Sequence, residues 1–174
     1  TIDIKPLPGG DKIFLNGKEV TKEIRSKEVT KIVSQISSIK EVRFETDKKV
    51  NVYADEFYIE QAFTNYFTNA IKHTKEVNGE KYIEIKLKED KEKHKVKISV
   101  FNTGDTLSEE NLERIWGRFY KVDESRNRAD GGTGIGLALV KAIMNNYNSK
   151  YGAVNRENGI EFYFDIQTDA GIEK

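Results

Sequence analysis

No cysteine occurs anywhere in this chain of 174 residues, which excludes disulfides, thiolate nucleophiles and cysteine-based zinc sites. Proline occurs only twice, as Pro6 and Pro8, so almost the whole chain is free of the residue that most often interrupts helices and strands. Long apolar runs and the apolar core of a signal peptide are also missing from this stretch, which predicts a soluble, intracellular piece making no membrane contact. An excess of one charge is lacking as well. Lys+Arg and Asp+Glu are 29 each, so no whole-chain field draws the protein to nucleic acid, and no nucleic-acid partner is expected. The absence of an initial Met suggests a fragment, and the length suits one domain with a small appendage.

What is present reads as alternating local patterns. Asn16-Gly17 stands between the strand-like runs KIFL and KEV, the sequence sign of a tight hairpin. Val29, Ile32, Val33, Ile36 and Ile39 repeat at helical spacing, predicting a helix over 27–39, and VRFET and VNVYA then alternate as strands do. A helix is predicted from an N-cap at Asp55 to Thr74. YIEIKLKED and HKVKISVFN read as paired strands around the charged run 88–95, a solvated hairpin tip that leaves His94 without a role. Leu112, Ile115, Trp116 and Phe119 suggest one short helix inside a long polar stretch from Asn102 to Gly132. A glycine cluster opens a last helix reaching about Asn148, and GIEFYFDI alternates as a final strand. The expected fold class is α+β: a two-layer sandwich whose mixed, mostly antiparallel sheet is covered on one face by helices.

Within EFYIEQAFTNYFTNAIKHT, steps of about 100° bring Gln61, Asn65, Asn69 and Lys72 into one polar stripe. Ile59, Ala62, Phe63, Tyr66 and Ala70 make the apolar face beside it. Asparagine is an indifferent helix former, and two of them one turn apart are either plain surface residues or neutral amide oxygens able to ligate a hard cation such as Mg²⁺. The run Gly131-Gly132-Thr133-Gly134-Ile135-Gly136-Leu137 raises a second question. Glycines ahead of a helix let backbone N–H groups approach an anion, phosphate first of all, but this spacing is neither the dinucleotide fingerprint nor a Walker loop.

Order along the chain sharpens both readings. QAFTNYFTNAIKHT, VFNTGDTL, RIWGRFYKVDESR and GGTGIGLALVKAI follow one another as do the N, G1, F and G2 boxes of sensor histidine kinase ATP-binding domains, and residues 44–168 resemble that GHKL superfamily. The resemblance implies a Bergerat-type sandwich binding ATP and Mg²⁺ between the N-box helix and a lid at about 102–132. It implies that Asn65 and Asn69 face Mg²⁺ and the phosphates, with Lys72 and His73 nearby. It puts Gly132, Thr133, Gly134, Gly136 and Leu137 at the phosphate end, Phe119 and Tyr120 as anchors of the lid, and Lys121 and Arg126 as phosphate partners. Trp116 reads instead as core. The family's adenine-binding Asp is Asn102 here, in Asn102-Thr103-Gly104-Asp105-Thr106. Its amide oxygen can still accept from the adenine amino group, more weakly than a carboxylate would. Gly104 keeps the first glycine of the box, Thr106 replaces the second, and Asp105 is a lesser candidate acceptor.

In that family the phosphoacceptor histidine lies on a separate dimerisation domain, and a response regulator takes the phosphoryl group onward. Neither His73 nor His94 sits in such a context, so Mg·ATP binding without autophosphorylation is the expectation, in the cytoplasm of a membrane-anchored parent. Residues 1–43 resemble something else: F-L-N-G, E-I-R, E-V and the spacing from Ser34 to Val42-Arg43 match the nucleotide-monophosphate-binding segment of bacterial cytidylate kinases. The resemblance assigns Ser34 and Arg43 to CMP and a structural role to Arg25, but the Walker loop is missing and cytidylate kinase activity is not expected. The chain thus reads as a hybrid, with engineered recombination as the favoured account: a graft over 1–43, an ATP-binding domain over 44–168 and a tail over 169–174. Two alternatives are a scaffold that has lost nucleotide binding and another GHKL enzyme such as a serine kinase.

Overall fold

The computed structural model describes residues 2–5, 12–15, 18–19, 39, 41–46, 50–120 and 134–169, the first three stretches by backbone alone. The chain divides into two compact units, Thr1–Ser38 and Ile39–Lys174. In the first, β1 (Ile2–Lys5) pairs antiparallel with β2 (Lys12–Leu15), which pairs antiparallel with β3 (Lys18–Glu19). The hairpin expected around Asn16-Gly17 is therefore formed by β2 and β3, and β1 adds a strand that the sequence reading did not mark. The helix expected over 27–39 lies outside the described residues except for Ile39.

The second unit runs β4 (Glu41–Thr46), α1 (Glu56–His73), β5 (Tyr82–Asp90), β6 (Lys95–Thr103), α2 (Glu109–Arg114), α3 (Gly136–Asn146), β7 (Tyr151–Arg156) and β8 (Gly159–Gln167). Its five strands lie in the order β4-β5-β6-β8-β7, with β4 parallel to β5 and every other pair antiparallel. A parallel pair needs a crossover, and α1 supplies it. The Asp55 Oδ1 caps α1 by accepting from the Phe57 N–H at 2.9 Å, and Glu56 in the first turn and Lys72 in the last place charges that complement the helix dipole, with His73 as the last helical residue.

Strand alternation decides which face is covered. Ile83 and Ile85, Val96 and Val100, and Ile160, Phe162, Phe164 and Ile166 pack against Ala62, Tyr66 and Ala70 of α1 and Val140, Ile143 and Met144 of α3. Each of the larger aliphatic and aromatic side chains contributes roughly 1.5–3 kcal/mol on leaving water, so this layer carries the fold. Burial pushes the Tyr66 hydroxyl far above the ordinary phenol range, and it donates to the Tyr163 carbonyl at 3.2 Å. Among the described residues, the opposite face carries its own long side chains. Arg43 lies 3.8 Å above the Tyr82 ring, Lys97 lies 4.0 Å above the Tyr163 ring, and the Glu161 carboxylate takes Lys97 at 3.2 Å and Arg156 at 2.9 Å.

Four local expectations are corrected. VNVYA is not a strand: Val52 makes one bridge to Thr168, because this stretch meets the chain just beyond the end of β8. β7 was not expected, since YGAVNR shows little apolar alternation; its Gly152 lies under the Tyr163 ring, which a Cβ would meet at 2.8 Å. The hairpin tip is shorter than the charged run, with strands continuing to Asp90 and resuming at Lys95. The short apolar helix stops at a C-cap on Ile115, where the Gly117 N–H turns back to the Arg114 carbonyl at 2.9 Å, so Trp116 and Phe119 lie beyond it.

Burial rather than residue type decides what a large apolar side chain contributes, even on one side of the sheet: Phe44 of the edge strand β4 is paired with Ile85 yet stands largely exposed. Phe164→Ala, at a fully buried position, is expected to cost about 3–5 kcal/mol in urea unfolding. Phe44→Ser, at a position 66% exposed, is expected to stay within about 0.5 kcal/mol of the parent.

Candidate functional site

Strand β6 ends in a crowded crossing of backbones. The Thr103 side chain is fully buried; its hydroxyl donates to the Lys75 carbonyl at 2.8 Å and accepts from the Tyr82 N–H at 3.2 Å. The Lys75 N–H donates to the Thr103 carbonyl at 2.9 Å, so one residue ties the chain leaving α1 to the start of β5. Gly104 follows with φ +149°, and a Cβ there would lie 2.7 Å from the His73 carbonyl oxygen. On the other side, a Cβ on Gly159 of β8 would fall on the Asn102 carbonyl oxygen. Glycine is required at both positions because main chain occupies the space.

Asn102 sits at this crossing on the helix-covered face, in line with Val96 and Val100, and is 1% exposed. Its Nδ2 donates to the Thr103 carbonyl at 3.1 Å, which fixes the amide, because the reversed orientation would set two oxygens against each other. The Oδ1 therefore faces away from that carbonyl and, among the described residues, has no hydrogen-bond partner. An acceptor buried in this way calls for a donor. Asp105, the lesser candidate, is exposed and pairs with Lys75.

Asn65 and Asn69 lie half-buried on α1, one turn apart. The Asn65 Nδ2 donates to the Gln61 carbonyl at 2.8 Å, which leaves the oxygen as the end turned away from that carbonyl. A Cβ on Gly136, at the start of α3, would land on that oxygen. The amide stripe of α1 is thus bounded by the start of α3 at Asn65 and by the end of β6 at His73, eight residues or about 12 Å apart. Lys72 is exposed at the β6 end of this stripe, and His73, also exposed, contributes the carbonyl that crowds Gly104. The Leu137 side chain packs against the core, which leaves its backbone as the part open to a ligand.

The two chain ends flanking residues 121–133 are pinned together. The Phe119 N–H donates to the Gly134 carbonyl at 2.9 Å, Phe119 itself has φ +63° and Gly134 has φ +67°, and a Cβ on Gly134 would come within 2.9 Å of the Phe119 backbone. The Tyr120 hydroxyl donates to the Asn111 Oδ1 at 2.6 Å, and Arg114 lies 4.9 Å from its ring centroid. The Phe119 side chain is 71% exposed, so its tie to Gly134 is made by the backbone. Trp116 packs edge-on against Tyr66, Tyr151 and Phe162, as its core reading required. Lys121, Arg126, Gly132 and Thr133 lie outside the described residues, as do Arg25 and Ser34.

Two contributors escaped the sequence reading. Asn155 of β7 donates to the Leu107 carbonyl at 2.7 Å and accepts from the Leu107 N–H at 3.0 Å, holding the loop after Gly104 to the sheet. The Tyr147 hydroxyl accepts from the Asp55 N–H at 2.9 Å, linking the end of α3 to the start of α1. A polar residue on the inward register of β7 was the available signal for Asn155, but β7 itself was not recognised. Two surface depressions lie away from Asn65, Asn69 and Asn102. One of about 410 Å³ sits on the open sheet face between Tyr82 and Glu161, and one of about 450 Å³ sits around Trp116 and Phe119.

Comparison with known proteins accords with this geometry. The family of histidine kinase-, DNA gyrase B- and HSP90-like ATPases matches residues 54–170, and the cytidylate kinase family matches residues 2–59. The sensor protein kinase WalK of Staphylococcus haemolyticus is 36% identical over 90 residues, covering 52% of this chain and 14% of WalK. The sensor histidine kinase CusS of Escherichia coli K12 is 34% identical over 122 residues, covering 70% of this chain and 24% of CusS. The solved catalytic domain of histidine kinase ThkA is 30% identical with a TM-score of 0.63, covering 84% of this chain and 88% of that one. The chain therefore spans 14% to 24% of the length of these two curated relatives and most of an isolated catalytic domain.

Thr103→Val keeps the shape and removes the hydroxyl that joins Lys75 to Tyr82. It is expected to lower stability by about 1–3 kcal/mol, read from the urea midpoint, because it leaves a partly buried N–H and a carbonyl without this partner.

Proposed function

Since the chain belongs to the family of histidine kinase-, DNA gyrase B- and HSP90-like ATPases, as a histidine kinase catalytic domain, we propose that residues 44–168 bind Mg·ATP between α1, the end of β6 and the start of α3. The observation that carries this reading is the Asn102 Oδ1: a buried acceptor with its amide fixed and no protein donor among the described residues, suited to the adenine amino group. The neutral amide fits the base, though with a weaker bond than a carboxylate would give. Asn65 and Asn69 would hold Mg²⁺ through amide oxygens, and the Asn65 amide already has its nitrogen turned to the helix. Backbone N–H groups of 132–137 would meet the phosphates, with Lys72, Lys121 and Arg126 as charge partners.

When bound, ATP supplies the phosphoryl group. The chain's own contribution is to orient and screen it, since phosphoryl transfer depends mainly on positioning and charge stabilisation. The acceptor in the full-length protein would be a histidine on a dimerisation domain, with a response regulator downstream. Among the described residues no helix is long and apolar enough to cross a membrane. A cytoplasmic catalytic domain of a membrane-anchored parent is the arrangement we propose.

Residues 1–43 are proposed to be a cytidylate kinase segment joined to this domain, supported by the family match over 2–59. Arg43, which that resemblance assigned to CMP, is engaged on the open sheet face instead: it pairs with Glu41 at 2.9 Å and lies against Tyr82. No CMP binding is therefore expected.

Calorimetric titration with ATP, with and without Mg²⁺ and with CMP as control, checks the proposal. Magnesium-dependent ATP binding, no CMP signal and loss of the ATP signal in a folded Asn69→Ala variant are the expected results. A folded parent silent toward ATP would give the lead to a scaffold that keeps only the fold.

A further inference from the structure

Two glycines at the start of α3 are glycine for different reasons. Gly134 has φ +67°, a conformation that L side chains rarely adopt, whereas Gly136 is the first residue of the helix and is not in the left-handed region. Backbone conformation therefore does not require glycine at 136, and alanine is the better helix former. What alanine would meet there is Asn65: an added Cβ falls on the Asn65 Oδ1 and lies 3.3 Å from its Cγ and 3.8 Å from its Cβ. The amide has little freedom to yield in place, because its nitrogen is held by the Gln61 carbonyl at 2.8 Å.

We propose that Gly136 is a positioning residue for Asn65, leaving room for the amide to present its oxygen to a divalent cation, rather than a residue that approaches the phosphates itself. This rests on the reading of the site as one for Mg·ATP. The two segments are then coupled sterically. A side chain at 136 turns the Asn65 amide out of place, and the loss appears in the magnesium dependence of nucleotide binding more than in binding of the nucleotide alone.

A double-mutant cycle of Asn65→Ala and Gly136→Ala tests it, with two readouts. In thermal unfolding without nucleotide, Gly136→Ala should lower Tm when Asn65 is present and leave it unchanged or raise it when residue 65 is alanine. In titrations, the ratio of ATP affinities with and without Mg²⁺ should fall about tenfold in Gly136→Ala, as for loss of support around a metal ligand, and no further in the double variant than in Asn65→Ala alone. If Gly136→Ala unfolds the protein and Asn65→Ala restores it, the steric coupling stands. An equal effect of Gly136→Ala on Tm in both backgrounds, or a magnesium ratio left at the parent value, overturns the proposal. If the parent itself does not bind ATP, the Mg·ATP reading and the metal-positioning role fall together, while the thermal cycle still decides whether Gly136 makes room for Asn65.

Discussion

The candidate site depends on a close approach of three backbones at the end of β6. The Asn102 carbonyl lies where a side chain on Gly159 would be, the His73 carbonyl lies where a side chain on Gly104 would be, and the Thr103 hydroxyl joins the segments that leave α1 and enter β5. Dense main-chain packing of this kind buries Asn102 while its oxygen meets no donor among the described residues. It also fixes where the last turn of α1 ends, and with it the direction of the amide stripe toward α3. Loosening the crossing would move the proposed base-binding and metal-binding groups together.

Much of the fold was legible because it rests on periodicity. The apolar face of α1, its cap at Asp55, and strands β5, β6 and β8 follow from residue spacing and charge placement that any chain must respect to bury one face. What escaped depends on contacts between distant residues. β7 has the weak pattern of an edge strand, with Gly152 under a ring from β8 supplying what its own side chain does not. The Phe119 side chain belonged to the apolar repeat of a helix that Gly117 ends early, so the residue is exposed despite its chemistry.

At the candidate site, sequence named the residues but not how the fold holds them. Asn65, Asn69 and Asn102 were recognisable from their order along the chain; that the Asn65 and Asn102 amides are each oriented by a backbone carbonyl was not. The glycines illustrate the same limit. Read in sequence, Gly134 and Gly136 belong to one glycine run facing an anion, yet the first is needed for its backbone angle beside Phe119 and the second for space beside Asn65. The departure from an acid at 102 also gains physical sense. A neutral amide can be buried at this crossing and satisfied in part by the next carbonyl, where an unpaired carboxylate would be costly.

The central claim concerns where a nucleotide sits, and amide NMR shifts on addition of Mg·ATP test it most directly. Shifts should cluster at Asn65, Asn69, Asn102, Gly104 and residues 134–137, leaving the open sheet face at Lys97, Glu161 and Tyr163 silent. Shifts centred on that open face, or none at saturating nucleotide in a folded sample, would contradict the placement of the site.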